Sequence, residues 1–147
     1  MPDPIKYLQQ FVGDWRGDVS LEMEGKTYGM HERMNIVSAT AGRSISAEET
    51  AFSEELGPFS AVHIAGYDPY GNKVHWFTSD SYDITHDHVG EWKSPSHLSM
   101  ENSSVRDGKK YLEKVDITFM DANNLNLEFV STLDGKVTQK GSGQFHK

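Results

Sequence analysis

The sequence predicts an all-β fold: a closed antiparallel up-and-down β-barrel of about ten strands, with a short N-terminal helix over one end. Three observations carry this expectation. Apolar and polar residues alternate with period two through nearly all of the chain after Gly13. The alternating runs are separated by turn signals rather than by helix-length connections. Only the stretch before Gly13 has helical spacing.

Asp3 followed by Pro4 is a helix start, an N-cap side chain and then a proline in the first turn. Ile5, Leu8, Phe11 and Val12 follow at helical spacing, and Gly13 ends the pattern. Trp15, Gly17, Val19 and Leu21 then alternate with Arg16, Asp18 and Ser20 as a first strand. Tyr28, Met30, Met34 and Ile36 mark a second strand, and Ile45, Ala47 and Ala51 a third. Residues 59–67 and 73–78 form a fourth and fifth, joined by the turn Asp68-Pro69-Tyr70-Gly71-Asn72. Residues 82–89 follow, then a weaker strand near 96–101. Tyr111, Val115, Ile117 and Phe119 alternate, as do Leu125, Leu127, Phe129 and Leu133, and Asp134-Gly135 turns tightly into residues 136–146. So many strands in one open sheet leave long unpaired edges, and closure removes them. A β-sandwich is the alternative.

The chain's 147 residues suit one domain. The break Ser53-Glu54-Glu55-Leu56-Gly57-Pro58 is too short to separate two. With 14 Lys+Arg against 22 Asp+Glu, the net charge of −8 argues against nucleic-acid and anionic-membrane partners, which require a basic surface. The absence of cysteine excludes disulfides, thiolate metal sites and thiol catalysis. Met1-Pro2-Asp3-Pro4 carries no targeting pattern, and no apolar run reaches the ~18 residues that span a bilayer, so a cytoplasmic location is expected.

No phosphate-binding glycine loop, nucleophile elbow or His-Glu-x-x-His helix is present, and no local signature organises the 7 histidines into a triad. The most informative spacing is His86-Asp87-His88, because residues two apart on a strand share a face. If Thr78 pairs with Tyr82, then Val74 and Trp76 share a face with Ile84, His86 and His88. Carrying that register through the preceding turn adds Val62 and Ile64. A one-residue slip instead sets His75 opposite His86 and reverses the faces. The two histidines are read as cavity groups, as a pair able to share a metal, or as solvent-facing side chains.

Three acids interrupt apolar strand faces: Glu32 between Met30 and Met34, Glu49 between Ala47 and Ala51, and Glu113 between Tyr111 and Val115. An unpaired carboxylate in a dry core costs several kcal/mol or gains a proton. Water in a cavity, pairing, or bulges that turn the acids outward are the available solutions. The candidate ligand-binding set is therefore Met30, Glu32, Met34, Glu49, Val62, Trp76, His86, His88, Glu113 and Phe129, with Ile117 and Leu127 completing the apolar wall. Phe59, Tyr67, Tyr70 and Phe77 are read as outward aromatics. They mark either a homo-oligomer interface or simple alternation on twisted strands.

Gly13-Asp14-Trp15, opening the first strand directly after the helix, resembles the Gly-x-Trp signature of the calycin barrels. A wider set of residues resembles the DUF1579 group of lipocalin-like bacterial domains. These are Phe11-Val12-Gly13-Asp14-Trp15, Ala41-Gly42-Arg43, Gly57-Pro58-Phe59, Gly66-Tyr67-Asp68, Lys73, Trp76, Ser79-Asp80-Ser81, Gly90 and Asp134-Gly135. The resemblance implies a lipocalin-like barrel and no established activity. Calycin barrels place an Arg or Lys from the last strand over this Trp. Here the end reads Phe145-His146-Lys147, so His146, Lys140 or Lys147 takes that place.

The functional expectation is a barrel that binds a small molecule, amphipathic and carrying donor groups, since a fatty-acid carboxylate meets like charge from the three acids. Its cofactors are not legible. Three alternatives come from other classes. One is a haem- or metal-binding barrel using His86, His88 or His146, as haem barrels of the nitrobindin type use a single His. Another is a small enzyme with Glu32 or Glu49 as base and His86 as acid, which a raised carboxylate pKa supports. The last is a filled structural or oligomeric barrel.

Overall fold

The structure, a computed structural model, describes residues 2–147. Helix α1 (Pro4–Leu8) continues into a 3-10 turn (Gln9–Phe11). The strands follow in order: β1 (Gly13–Met23), β2 (Lys26–Ala39), β3 (Ser44–Ser53), β4 (Gly57–Asp68) and β5 (Lys73–Asp80). Then come β6 (Thr85–Ser94), β7 (His97–Arg106), β8 (Lys109–Asp121), β9 (Asn124–Leu133) and β10 (Lys136–His146). Each strand pairs antiparallel with its neighbour in sequence, and β1 pairs with β10 from Arg16↔His146 to Met23↔Gln139, closing the barrel. No sheet edge remains unpaired.

The helix forms where Asp3 caps it, its carboxylate accepting from the Lys6 amide at 3.1 Å. It carries Leu8 and Phe11 into one end of the barrel, where both are buried. Phe11 meets Trp76 edge-on at 5.1 Å between ring centroids and Phe119 at 4.8 Å. Trp15, 1% exposed, donates its indole N–H to the Phe11 carbonyl at 2.7 Å, so its polar handle is satisfied inside the plug. Lys147 takes the cation position, its Nζ 5.0 Å from the Trp15 ring centroid. His146 is exposed and Lys140 pairs with Glu22 instead.

Two strand boundaries differ from the expectation. The weak strand near 96–101 is the full ten-residue β7, whose inward residues Leu98, Met100 and Asn102 alternate with polar outward ones. The strand expected from residue 82 begins at Thr85. Asp80 Oδ1 accepts from the amides of Tyr82 (2.8 Å) and Ile84 (3.1 Å) and holds both residues in a turn at the barrel mouth. Between β6 and β7 the backbones approach so closely that a Cβ on Gly90 would lie 1.9 Å from the Ser99 carbonyl oxygen.

The register between β4 and β5 corrects one site residue. Asp68 pairs with Lys73, so Ala65 faces Trp76 and His63 faces Thr78 on the inner wall. Val62, expected in the cavity, is 57% exposed on the outer wall, as is Ile64 at 50%. The cause is turn length: four residues, Pro69 to Asn72, separate the paired ends, which reverses the assumed parity. Phe59 is corrected in the opposite sense, since it turns inward at the mouth. Tyr67 is half-buried against the core, whereas Phe77 and Tyr70 are exposed.

Candidate binding cavity

The barrel encloses a cavity of about 630 Å³. Met30, Glu32, Met34, Glu49, Trp76, His86, His88, Glu113 and Phe129 all line it, with Ile117 and Leu127. Of the candidate set, only Val62 does not. A cavity of this size lies in the range of small-molecule sites. Gly141 on β10 helps to shape its wall, because a Cβ there would lie 2.4 Å from the Phe129 ring.

A polar belt crosses the apolar wall. On β4, His63 Nε2 lies 2.8 Å from Glu49 Oε1, and Trp76 Nε1 points at His63 Nδ1 from 3.0 Å. An indole N–H only donates, so Nδ1 accepts, and the His63 proton resides on Nε2 and is donated to Glu49. Thr78 Oγ1 lies 2.8 Å from the same Nδ1. Glu49 Oε1 thereby accepts from the His63 ring. Its neighbour Glu32 has no such donor. Burial, and then the charge and hydrogen bond of Glu49, push the Glu32 carboxyl up to about 9. Glu32 therefore carries a proton at neutral pH and hydrogen-bonds to Glu49 through it.

The belt continues across Thr78, which pairs with His86 on β6. His86 and His88 project inward together, their ring centroids 4.9 Å apart. The assumed pairing of Thr78 with Tyr82 is four residues off, a shift that preserves the facing. His88 is buried, with Nε2 2.6 Å from Glu113 Oε1 on β8. The Ser131 hydroxyl donates to Glu113 Oε2 at 3.0 Å, and the Tyr111 hydroxyl lies 3.2 Å from that oxygen. Burial works to raise Glu113, but the His88 contact and the Ser131 hydroxyl outweigh it, so the carboxyl sits below its ordinary range. Burial, and then the neighbouring His88, depress His86. The buried His86 Nδ1 has no hydrogen-bond partner.

The sequence reading missed His63, Thr78, Tyr111, Ser131 and Arg106. His63 lies between Val62 and Ile64, whose apolar, β-branched character gave the wrong face to the strand. Arg106 at the end of β7 lies over the Tyr111 ring, its guanidinium carbon 3.6 Å from the centroid. Among the described residues, it is the one Lys or Arg lining the cavity. At the opposite end from the helix, Leu56, Phe59, Tyr82 and Ile84 surround the mouth. No helix among the described residues is long and apolar enough to cross a membrane.

No protein-family model and no curated protein matches the chain. Solved structures do. An S-type phycobiliprotein lyase, CPES from Guillardia theta, superposes with a TM-score of 0.64 at 13% identity, over 97% of this chain and 90% of that one. A redesigned β-barrel, mFAP0, bound to DFHBI, gives a TM-score of 0.51 at 10% identity, over 95% of this chain and 100% of that one. A second redesigned barrel, b11L5F_LGL, gives 0.52 at 10% identity, over 100% of this chain and 96% of that one. At these identities the likeness is one of fold: a lipocalin-like barrel, an architecture compatible with holding a small molecule.

Proposed function

We propose that this chain binds a small amphipathic organic molecule inside its barrel. The observation that carries the reading is the cavity itself: about 630 Å³, with an apolar wall crossed by a belt of oriented polar groups. A filled barrel has no use for Glu32, Glu49, His63, His88 and Glu113 on its inner wall, because each carries a desolvation cost. Met30, Met34, Trp76, Leu127 and Phe129 supply the adaptable apolar contacts. Glu32, Glu49 and Glu113 offer acceptor oxygens, and Arg106 receives an anionic group near the mouth. The ligand is therefore a largely planar or flexible apolar body with polar groups along it and an acidic end. Fold likeness to a barrel bound to DFHBI and to a phycobiliprotein lyase supports the ligand class without naming the ligand. Membership of the DUF1579 group belongs to the same proposal, supported by the motifs from Gly13-Asp14-Trp15 to Asp134-Gly135.

One observation favours a second reading. A carboxyl pushed up to about 9 holds its proton at neutral pH, as a general acid does, so Glu32 has the protonation state for acid chemistry on a bound molecule.

Fluorescence titration with 1-anilinonaphthalene-8-sulfonate, an amphipathic anion, tests the binding reading. Wild type and Val62→Trp bind one equivalent with similar affinity, while Leu127→Trp, which projects an indole into the cavity, loses at least tenfold. Undiminished binding by a folded Leu127→Trp variant overturns the proposal.

A further inference from the structure

We propose that His86, His88 and Glu113 form a binding site for one divalent transition metal ion of the zinc class, with an open coordination position facing the cavity. This goes beyond the organic-ligand reading and stands independently of it. One donor atom from each of the three residues lies within 4.8 Å of the others. Ligands around a tetrahedral zinc-class ion sit at ~2.0–2.2 Å, which puts their donor atoms ~3.3–3.6 Å from one another. The three donor atoms therefore draw together by up to about 1.5 Å to share one ion. Two imidazoles and one carboxylate are a donor set that zinc takes when a fourth position is left for water or substrate.

Three features go beyond proximity. First, β6 presents both histidines from one strand, two residues apart, so their spacing is set by the pleat rather than by a loop. Second, Glu113 is already oriented. The Ser131 hydroxyl donates to Oε2, and the Tyr111 hydroxyl lies 3.1 Å from Ser131 Oγ. Supporting hydrogen bonds of this kind fix metal-ligating carboxylates and tune their basicity. Third, His86 Nδ1 is buried with no partner. A simple His88–Glu113 ion pair explains His88 and Glu113 but leaves His86 unexplained, whereas a shared ion gives His86 a role. The proton now lying between His88 Nε2 and Glu113 Oε1 leaves to solvent as the ion enters. Asn102, whose Cα pairs with that of Glu113, and Thr78, which pairs with His86, border the site and leave the cavity side open to water.

The test is titration of chelator-stripped, full-length protein with Co²⁺, followed by displacement with Zn²⁺. The expected result is one equivalent of Co²⁺ with visible ligand-field bands between about 500 and 650 nm, as few-coordinate nitrogen and oxygen sites show. Glu113→Gln and His86→Asn each weaken binding at least a hundredfold, and Ser131→Ala weakens it about tenfold, the effect of a lost orienting group. Val62→Ser changes nothing. Long-range ¹H–¹⁵N spectra of the wild-type imidazoles supply a reading that needs no variant: Zn²⁺ shifts the ring nitrogens of His86 and His88 and leaves those of His31, His97 and His146 in place. Absence of the bands in wild type, or binding that moves only the outer histidines, overturns the assignment.

Discussion

Replacing Glu32 with Gln isolates the electrostatic cost of the inner belt. In the folded chain the Glu32 carboxyl is pushed up to about 9, against 4.5 in an exposed setting. Between these two pH values the folded state holds a proton that the unfolded chain has released. Unfolding therefore becomes easier as pH rises, by a factor of ten in the equilibrium constant per pH unit. Wild-type stability has its full Glu32 contribution below about pH 4.5 and loses it progressively until about pH 9, where the carboxyl ionises in both states. Gln has nearly the same shape, keeps a donor and does not titrate. Glu32→Gln is thus close to neutral near pH 4.5 and increasingly stabilising above it, by up to roughly 4 kcal/mol at pH 7.5. The assay is urea unfolding of both proteins at half-unit pH intervals from 5 to 9, plotted as the difference in stability. Glu49→Gln in the same series removes the like charge that raises Glu32, and the pH at which the slope ends moves down. A difference that stays flat across the whole range would falsify the argument, because it means Glu32 ionises near its ordinary pKa in a water-filled barrel.

Two further outcomes test the architecture. Trp15→Ala removes a buried indole from the helix-capped end, together with its hydrogen bond to Phe11 and its contact with Lys147, and is expected to cost roughly 3–5 kcal/mol in urea unfolding; a loss under about 1 kcal/mol contradicts the plug. Val62→Ser lies on the outer wall and changes stability by less than about 1 kcal/mol, whereas His63→Phe, one residue on, leaves Glu49 without its donor and costs several times more, and equal effects would restore the opposite register.

Much of the fold was open to reading because a strand writes its two faces into alternate residues. Val19 and Leu21, Met30 and Ile36, Ile117 and Phe119, and Leu125 and Leu127 each declare an inner face within one strand. The parity of Glu32, Glu49 and Glu113 follows from their apolar neighbours in the same way, which made them cavity candidates, while bulges that turn them outward stayed open until the strands were paired. The helix start at Asp3-Pro4 and its end before Gly13 are local chemistry as well.

What only the tertiary structure decided is which inward groups meet. The outer wall of β4 and β5 carries Val62, Ile64 and Phe77, so the contrast between faces that alternation needs is lost there, and the parity rested on a turn whose length reversed it. His63 went unnoticed for that reason. Its meeting with Glu49 on the neighbouring β3, and that of His88 with Glu113 across the intervening β7, join residues 14 and 25 positions apart. Lys147 reaches Trp15 only because β10 closes on β1. Local sequence sets the direction of each side chain, since the pleat fixes it within two residues. Partners across the barrel are set by closure and register, which belong to the assembled sheet and to no single strand.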